Sequence, residues 1–142
     1  MSTEENKALI RRSYEAFNQR NWEDFYEQAV DDYVFHTPSM TGHGKEAYKQ
    51  FLSMYLTAFP DVHLAIEDII AEGDTVVVRQ TFTGTHQGNL MGIAPTGKYV
   101  TVTAILINRI ANGKGIELWI NGDDLGILQQ LGVVPMLGQA GS

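Results

Sequence analysis

The chain has 142 residues, 44% of them hydrophobic, and a formal net charge of −7. Its 10 lysine and arginine residues form no cluster, so it lacks the basic surface that nucleic-acid binding requires. The absence of cysteine excludes disulfides, thiolate metal sites and a cysteine nucleophile, while the polar N-terminus and short apolar runs predict no signal peptide, no membrane span and a cytoplasmic protein.

Three helices are predicted before Pro60. Ser2, followed three positions later by a glutamate, has the spacing of a capping box, so the first helix begins there and runs to about Arg20. Asn21 has a side chain suited to an N-cap and begins a short second helix. The third helix follows the glycines within residues 42–44 and ends before Pro60, because the residue that precedes a proline avoids the helical conformation.

Extended segments dominate the rest of the chain. A short run at Tyr33–His36 precedes the third helix, and after Pro60 apolar residues alternate with polar ones at a period of two. The main strands are predicted at Thr75–Thr83, Tyr99–Ile110 and Ile116–Asn121, and Asn112-Gly113 is the turn between the last two.

The C-terminal part is predicted to form one short helix. It spans Leu125–Leu131 and follows Asp123 and Asp124, two carboxylates that are interpreted as helix caps because negative charge is favourable at a helix N-terminus. We expect a single domain over residues 1–138 and a disordered tail over residues 139–142.

Helices followed by antiparallel strands are typical of the α+β class, in which helices cover one face of a curved sheet. In the strand Tyr99–Ile110 both the odd-numbered and the even-numbered positions are largely apolar, so both faces of the sheet carry hydrophobic side chains. The helices cover only one face. We therefore expect a second copy of the chain to cover the outer face, giving a homodimer.

Three segments resemble a known family. They are residues 11–38, with Arg-Arg-Ser-Tyr-Glu-Ala-Phe-Asn and His-Thr-Pro; residues 84–98, with Gly-Thr-His-Gln-Gly and Met-Gly-Ile-Ala-Pro-Thr-Gly-Lys; and residues 123–132. Over residues 6–132 the chain resembles the SnoaL-like polyketide cyclases, or ester cyclases, which share a fold with nuclear transport factor 2 and ketosteroid isomerase. The resemblance implies a cone-shaped fold with a curved antiparallel sheet packed against N-terminal helices. It also implies a pocket for a hydrophobic small molecule and an intramolecular aldol cyclisation.

The chain departs from this family at the residue that carries the chemistry. The resemblance implies a catalytic aspartate on the last strand, in a pattern of roughly Glu-His-Trp-Asp, and counting back without gaps from residues 128–132 places Ile120 there. A hydrocarbon side chain cannot transfer a proton. A histidine that relatives can carry on the preceding strand is replaced by Leu106, so the pocket is predicted to be more apolar than that of a cyclase.

The register of the last hairpin decides which side chains share the pocket. A three-residue loop with a bulged glycine places Leu106 opposite Ile120 and Asn108 opposite Leu118, whereas a strict two-residue turn shifts the register by one. We favour the bulged loop. Glu117 then alternates out of phase with Ile120 and is expected on the outer face, near Arg109 or Trp119.

Two histidines are candidates for a catalytic role. His36 stands near the expected pocket mouth and His86 lies in the 84–98 segment; an imidazole titrates near neutrality and can serve as a base. For each, the alternative is a local role, His36 bonded to backbone at a strand end and His86 organising its loop. No histidine spacing suits a metal, and no phosphate-binding loop is present, so neither metal nor cofactor is expected. Ligand-binding side chains are predicted at Tyr14, Phe17, Phe35, Met54, Tyr55, Phe59, Leu106, Asn108, Leu118 and Ile120.

Two functions from different classes follow from these residues. The first is a SnoaL-like polyketide cyclase in which His36 or His86 replaces the missing aspartate, with Asn108 or Tyr14 positioning an oxygen. The second is a non-catalytic module of the same fold that binds a small molecule or dimerises. The replacement of the aspartate by Ile120 favours the second.

Overall fold

The computed structural model describes residues 2–135, so the tail predicted at residues 139–142 lies outside the described residues. The elements follow the order α1 (Thr3–Asn18), α2 (Trp22–Glu27), β1 (Ala29–His36), β2 (Thr41–His43), α3 (Lys45–Ala58), β3 (His63–Glu72), β4 (Thr75–Thr85), β5 (Tyr99–Ala111), β6 (Lys114–Gly122) and α4 (Asp124–Gln130). Within residues 2–135 no helix is long and apolar enough to cross a membrane.

The helix starts follow the local sequence signals. Ser2 and Glu5 form the predicted capping box, each side chain accepting a hydrogen bond from the other's backbone N–H. The Asn21 side chain accepts from the backbone N–H of Asp24 at the start of α2. At the start of α3, Gly44 has a φ of +94°, which only glycine adopts without strain.

The six strands form one sheet in the order β2-β1-β6-β5-β4-β3. Strands β3 to β6 pair antiparallel, as predicted, and the α+β class is confirmed. The sheet is nevertheless mixed, because β1 runs parallel to β6. Strand β1 precedes the long antiparallel series in the chain but pairs with β6, the last strand of that series. Alternation of side chains within one segment cannot indicate this pairing.

Burial along β5 separates the two faces of the sheet as predicted. The even-numbered residues from Val100 to Leu106 are buried beneath the helices. On the odd-numbered side, Tyr99, Ile105 and Ile107 are exposed by 63%, 52% and 39%. The outer face of the sheet is therefore apolar and uncovered in the single chain.

The β5–β6 hairpin reaches the predicted register by a different route. Leu106 lies opposite Ile120 and Asn108 opposite Leu118. The turn, however, has only two residues, Asn112 and Gly113, both with positive φ, as a type I′ turn requires. The extra residue is Ile116, an unpaired β-bulge between the pairs Ile110–Gly115 and Arg109–Glu117. The predicted three-residue loop is wrong, and the bulge restores the register that the tight turn alone would have shifted.

Candidate functional site

A cavity of about 170 Å³ lies between the helices and the covered face of the sheet. Helices α1, α2 and α3 supply one wall, strands β4, β5 and β6 the other, and the start of α4 lies at one end. Seven of the ten predicted ligand-binding residues line it: Tyr14, Phe17, Tyr55, Leu106, Asn108, Leu118 and Ile120. The other three, Phe35, Met54 and Phe59, are not among the lining residues.

Those three residues belong to the packed core. Phe35 and Phe59 are fully buried; Phe35 packs against Tyr48 and Phe51, and Phe59 packs against Phe82. Met54 packs against the same core cluster as Phe59. Periodicity marks all such side chains as inward-facing, but it does not separate those that touch the cavity from those that touch only each other.

One end of the cavity is rich in phenol groups, and we call it the tyrosine end. Tyr14 of α1, Tyr33 of β1 and Tyr48 of α3 line it. The Tyr14 hydroxyl donates a 2.5 Å hydrogen bond to Oε1 of the buried Gln80. Burial raises the pKa of all three tyrosines above the ordinary value, and repulsion between neighbouring phenolates raises those of Tyr14 and Tyr33 further. The three side chains are therefore neutral hydrogen-bonding groups at physiological pH.

Away from the tyrosine end, the cavity has a carboxylate, that of Asp124, which the sequence predicts only as a helix cap. Asp123 is the cap: its Oδ1 accepts a 2.9 Å hydrogen bond from the backbone N–H of Gly126. Asp123 and Asp124 both line the cavity, but within residues 2–135 the carboxylate of Asp124 accepts no hydrogen bond. A Cβ added to Gly122 would lie 3.8 Å from Asp124 Oδ1 and 3.7 Å from Ala104 Cβ. This places the carboxylate over the end of the β5–β6 pair.

Asp124 and Tyr55 both have a raised pKa, and the charge of Asp124 contributes to the shift of Tyr55. Desolvation raises the pKa of Asp124 above the ordinary carboxyl value, and repulsion from Asp123 raises it further. Burial, followed by the negative charge of Asp124, raises the pKa of Tyr55 to about 12. Asp124 is exposed as a whole residue, so it stands at the rim, where solvent and cavity meet. A carboxylate with a raised pKa is a stronger base than an ordinary one.

The structure places His36 away from the cavity, on the outer face. Its Nε2 lies 2.6 Å from Glu117 Oε2 and its Nδ1 lies 3.0 Å from Thr41 Oγ1. The ring stacks on Trp119 at 5.0 Å. Glu117 also pairs with Arg109 at 3.2 Å, which confirms its predicted outer position. His36 is thus held in an outer-face cluster and is not among the cavity-lining residues.

His86 is fully buried in its loop rather than placed at the cavity. Its Nδ1 accepts a hydrogen bond from the backbone N–H of Thr96 at 3.1 Å, with the Thr96 hydroxyl at 3.0 Å. Nδ1 is therefore unprotonated, so the neutral ring carries its hydrogen on Nε2, which is buried without a partner in residues 2–135. These contacts hold residues 86 and 96 together and correspond to the loop-organising alternative.

The described residues offer no group of three or more His, Cys, Asp or Glu side chains that could hold a metal ion. The cavity instead combines hydrocarbon walls, neutral phenols and two carboxylates, of which Asp123 caps α4 and Asp124 accepts no hydrogen bond within residues 2–135. Such a site can bind an apolar compound with oxygen substituents, donate hydrogen bonds to its oxygens and accept a proton from it.

The chain is similar to known proteins in both sequence and structure. The model of the SnoaL-like polyketide cyclase family matches residues 7–131. The chain is 30% identical over 130 residues to the aklanonic acid methyl ester cyclase DauD of Streptomyces sp. (strain C5), covering 87% of this chain and 80% of DauD. The structure of AclR from Streptomyces galilaeus, named a candidate hydroxylase, aligns with a TM-score of 0.87 and 31% identity over 95% of this chain and 85% of AclR. IdmH from Streptomyces antibioticus, named a candidate polyketide cyclase, aligns with a TM-score of 0.80 and 29% identity over 89% of this chain and 98% of IdmH.

Proposed function

The chain belongs to the SnoaL-like polyketide cyclase family, and from this premise we propose that it cyclises a polyketide ester or ketone held in the cavity. The observation that carries the proposal is Asp124, a carboxylate with a raised pKa at the rim of an otherwise apolar cavity. The relative DauD, a methyl ester cyclase, indicates the class of substrate to try first.

The proposed reaction is an intramolecular aldol addition with Asp124 as the proton carrier. The carboxylate removes a proton from a carbon next to one carbonyl, and the resulting enolate carbon attacks a second carbonyl of the same molecule. A carbon–carbon bond forms, the second carbonyl oxygen becomes an alkoxide, and protonated Asp124 returns the proton to it. Atoms are conserved, so substrate and product have the same mass. Tyr55, which also lines the cavity and whose pKa the charge of Asp124 raises, would donate a hydrogen bond to the oxygen on which charge develops.

Liquid chromatography coupled to mass spectrometry, applied to a reaction with aklanonic acid methyl ester, tests this proposal. We expect the purified protein to convert the ester to an isomer of unchanged mass. A product heavier by one oxygen would contradict the proposal and point to a hydroxylase, the activity for which AclR is named.

A non-catalytic binding module is the second candidate, and one observation favours it. Leu106, Leu118 and Ile120 form a continuous hydrocarbon wall at the position where the family pattern implies an aspartate. A compound that binds only the folded state raises the melting temperature. A raised melting temperature with the ester, combined with no turnover, would favour the module over the cyclase.

We further propose that the outer face of the sheet joins two copies of the chain. One cross-strand row runs through Ile70, Val77, Ile107, Trp119 and His36, each directly opposite the next. Residues that pair directly point to the same face, so this row and the exposed Ile105 form one apolar surface. Such a surface costs free energy when it contacts water and favours self-association.

Light scattering coupled to size exclusion tests the homodimer. We expect the wild-type chain to elute as a dimer at micromolar concentration and Ile105→Glu to elute as a monomer, because the new carboxylate would have to be desolvated at the interface. The matched control is Met91→Glu, which adds the same charge at a residue 65% exposed in the loop that follows β4. A monomeric wild type, or a dimeric Ile105→Glu, would contradict the outer-face interface.

A further inference from the structure

Tyr33 and Tyr48 are two buried tyrosines that the proposed reaction does not use. Their side chains belong to residues exposed by only 6% and 9%, and both line the cavity. Their rings are neighbours, with centroids 5.0 Å apart and planes inclined by 52°. Within residues 2–135 neither hydroxyl has a hydrogen-bond partner, and neither oxygen is among the unpartnered atoms that are fully closed off from solvent.

Two unpartnered phenols at one place favour a ligand atom that accepts hydrogen bonds. A hydroxyl that faces a cavity and has no partner in the protein can donate its hydrogen to a ligand in place of water. Burial keeps both hydroxyls protonated, because it raises the pKa of each tyrosine. The third phenol of the tyrosine end, that of Tyr14, already donates to Gln80, so Tyr33 and Tyr48 supply the free donors.

The tyrosine end lies well away from the carboxylate. Tyr48 and Tyr55 stand on the same helix, seven residues apart, which corresponds to about 10 Å along the axis at 1.5 Å per residue. Tyr55 is the residue whose pKa the charge of Asp124 raises. A ligand that reaches both ends must therefore be extended.

We propose that Tyr33 and Tyr48 form a second subsite, in which both hydroxyls donate hydrogen bonds to one carbonyl oxygen of the ligand. Ketones, quinones and esters all fit this subsite, since each presents a carbonyl oxygen that only accepts hydrogen bonds. The subsite selects compounds that carry a carbonyl group and sets the orientation in which they bind. It rests on the proposed function in one respect, since it places the ligand in the same cavity.

Isothermal titration calorimetry with 1-indanone and indane tests the subsite without any turnover. The two compounds share their fused rings and differ only in the carbonyl oxygen. We expect Tyr33→Phe and Tyr48→Phe each to weaken the binding of 1-indanone by about 3- to 10-fold, the size of one neutral hydrogen bond, and to leave the binding of indane unchanged. Tyr99→Phe, which removes a hydroxyl from the exposed outer face, is the matched control and should bind both compounds as the wild type does.

Infrared spectroscopy of the bound ketone separates a direct contact from a structural effect. Two hydrogen bonds lower the carbonyl stretching frequency of 1-indanone, and each Phe variant should return it part of the way towards the value in an apolar solvent. An unchanged affinity and frequency in both variants, with 1-indanone bound, would overturn the subsite while leaving the cyclase proposal standing. A wild type that binds neither compound would overturn the subsite together with the use of this cavity.

Discussion

We expect Asp124→Asn to lower kcat for cyclisation by about 10²–10⁴-fold, the usual contribution of a positioned acid–base group. Asparagine keeps the size and polarity of the side chain but can neither accept nor return the proton. The substrate should still bind, so its effect on the melting temperature should be retained. A variant that keeps more than about a tenth of the wild-type kcat would remove Asp124 from the reaction.

Asp123→Asn is the matched control, because asparagine caps a helix as well as aspartate does. Asp124 must be ionised to accept a proton, so kcat/KM should fall as the pH drops through its pKa, which desolvation and Asp123 both raise. Removing the charge of Asp123 removes the repulsion. We therefore expect Asp123→Asn to retain turnover and to shift the acid limb of the pH profile to lower pH. A limb that stays in place would show that another group controls it.

The second large effect concerns stability rather than turnover. We expect Phe35→Ala to lower the free energy of unfolding by about 3–5 kcal/mol, as full truncation of a buried phenylalanine does. Phe35 is fully buried, it packs against Tyr48 and Phe51, and a Cβ on Gly42 would collide with its ring. Because natural domains have only about 5–15 kcal/mol in total, this loss brings the variant close to unfolding.

Urea denaturation measures the loss, with Phe51→Ala as the matched control. Phe51 touches the same ring but lines the cavity and is only half-buried. Its truncation widens an existing space instead of opening a new one, so we expect a loss of about 1–2 kcal/mol. If Phe35→Ala were no more costly than Phe51→Ala, Phe35 would not have the core role that its burial indicates.

The sequence predicts the fold, and seven of the ten residues it predicts for ligand binding line the cavity. Both results have identifiable physical reasons. Alternation along β5 determines which side chains face the helices, and cross-strand pairing then assigns Leu106 and Ile120 to one wall. These are local and periodic features. The parallel pairing of β1 with β6 is neither, because it joins segments about 80 positions apart in the chain, with no repeating pattern between them.

The two acidic residues at the start of α4 differ in their contacts in a way that the sequence pattern does not indicate. Asp123 and Asp124 are adjacent and chemically identical, and both are favourable at a helix N-terminus. Both residues line the cavity, but only Asp123 accepts a hydrogen bond from the backbone N–H of Gly126, and the backbone angles at the cap determine this difference. Tyr33 and Tyr48 raise the same difficulty, since an apolar stripe identifies an inward ring but not an unpartnered hydroxyl at its tip.

The bulge at Ile116 makes the tip of the β5–β6 hairpin independent of the cavity wall. Ile110–Gly115 pairs on one side of it and Arg109–Glu117 on the other, offset by one residue, so loss of Ile116 would join the two ladders into one continuous ladder. Relatives could therefore differ by one residue in this hairpin and still present the same side chains to the ligand. The hairpin tip is accordingly a place for length variation or for grafting a reporter peptide, and its length carries no information about specificity.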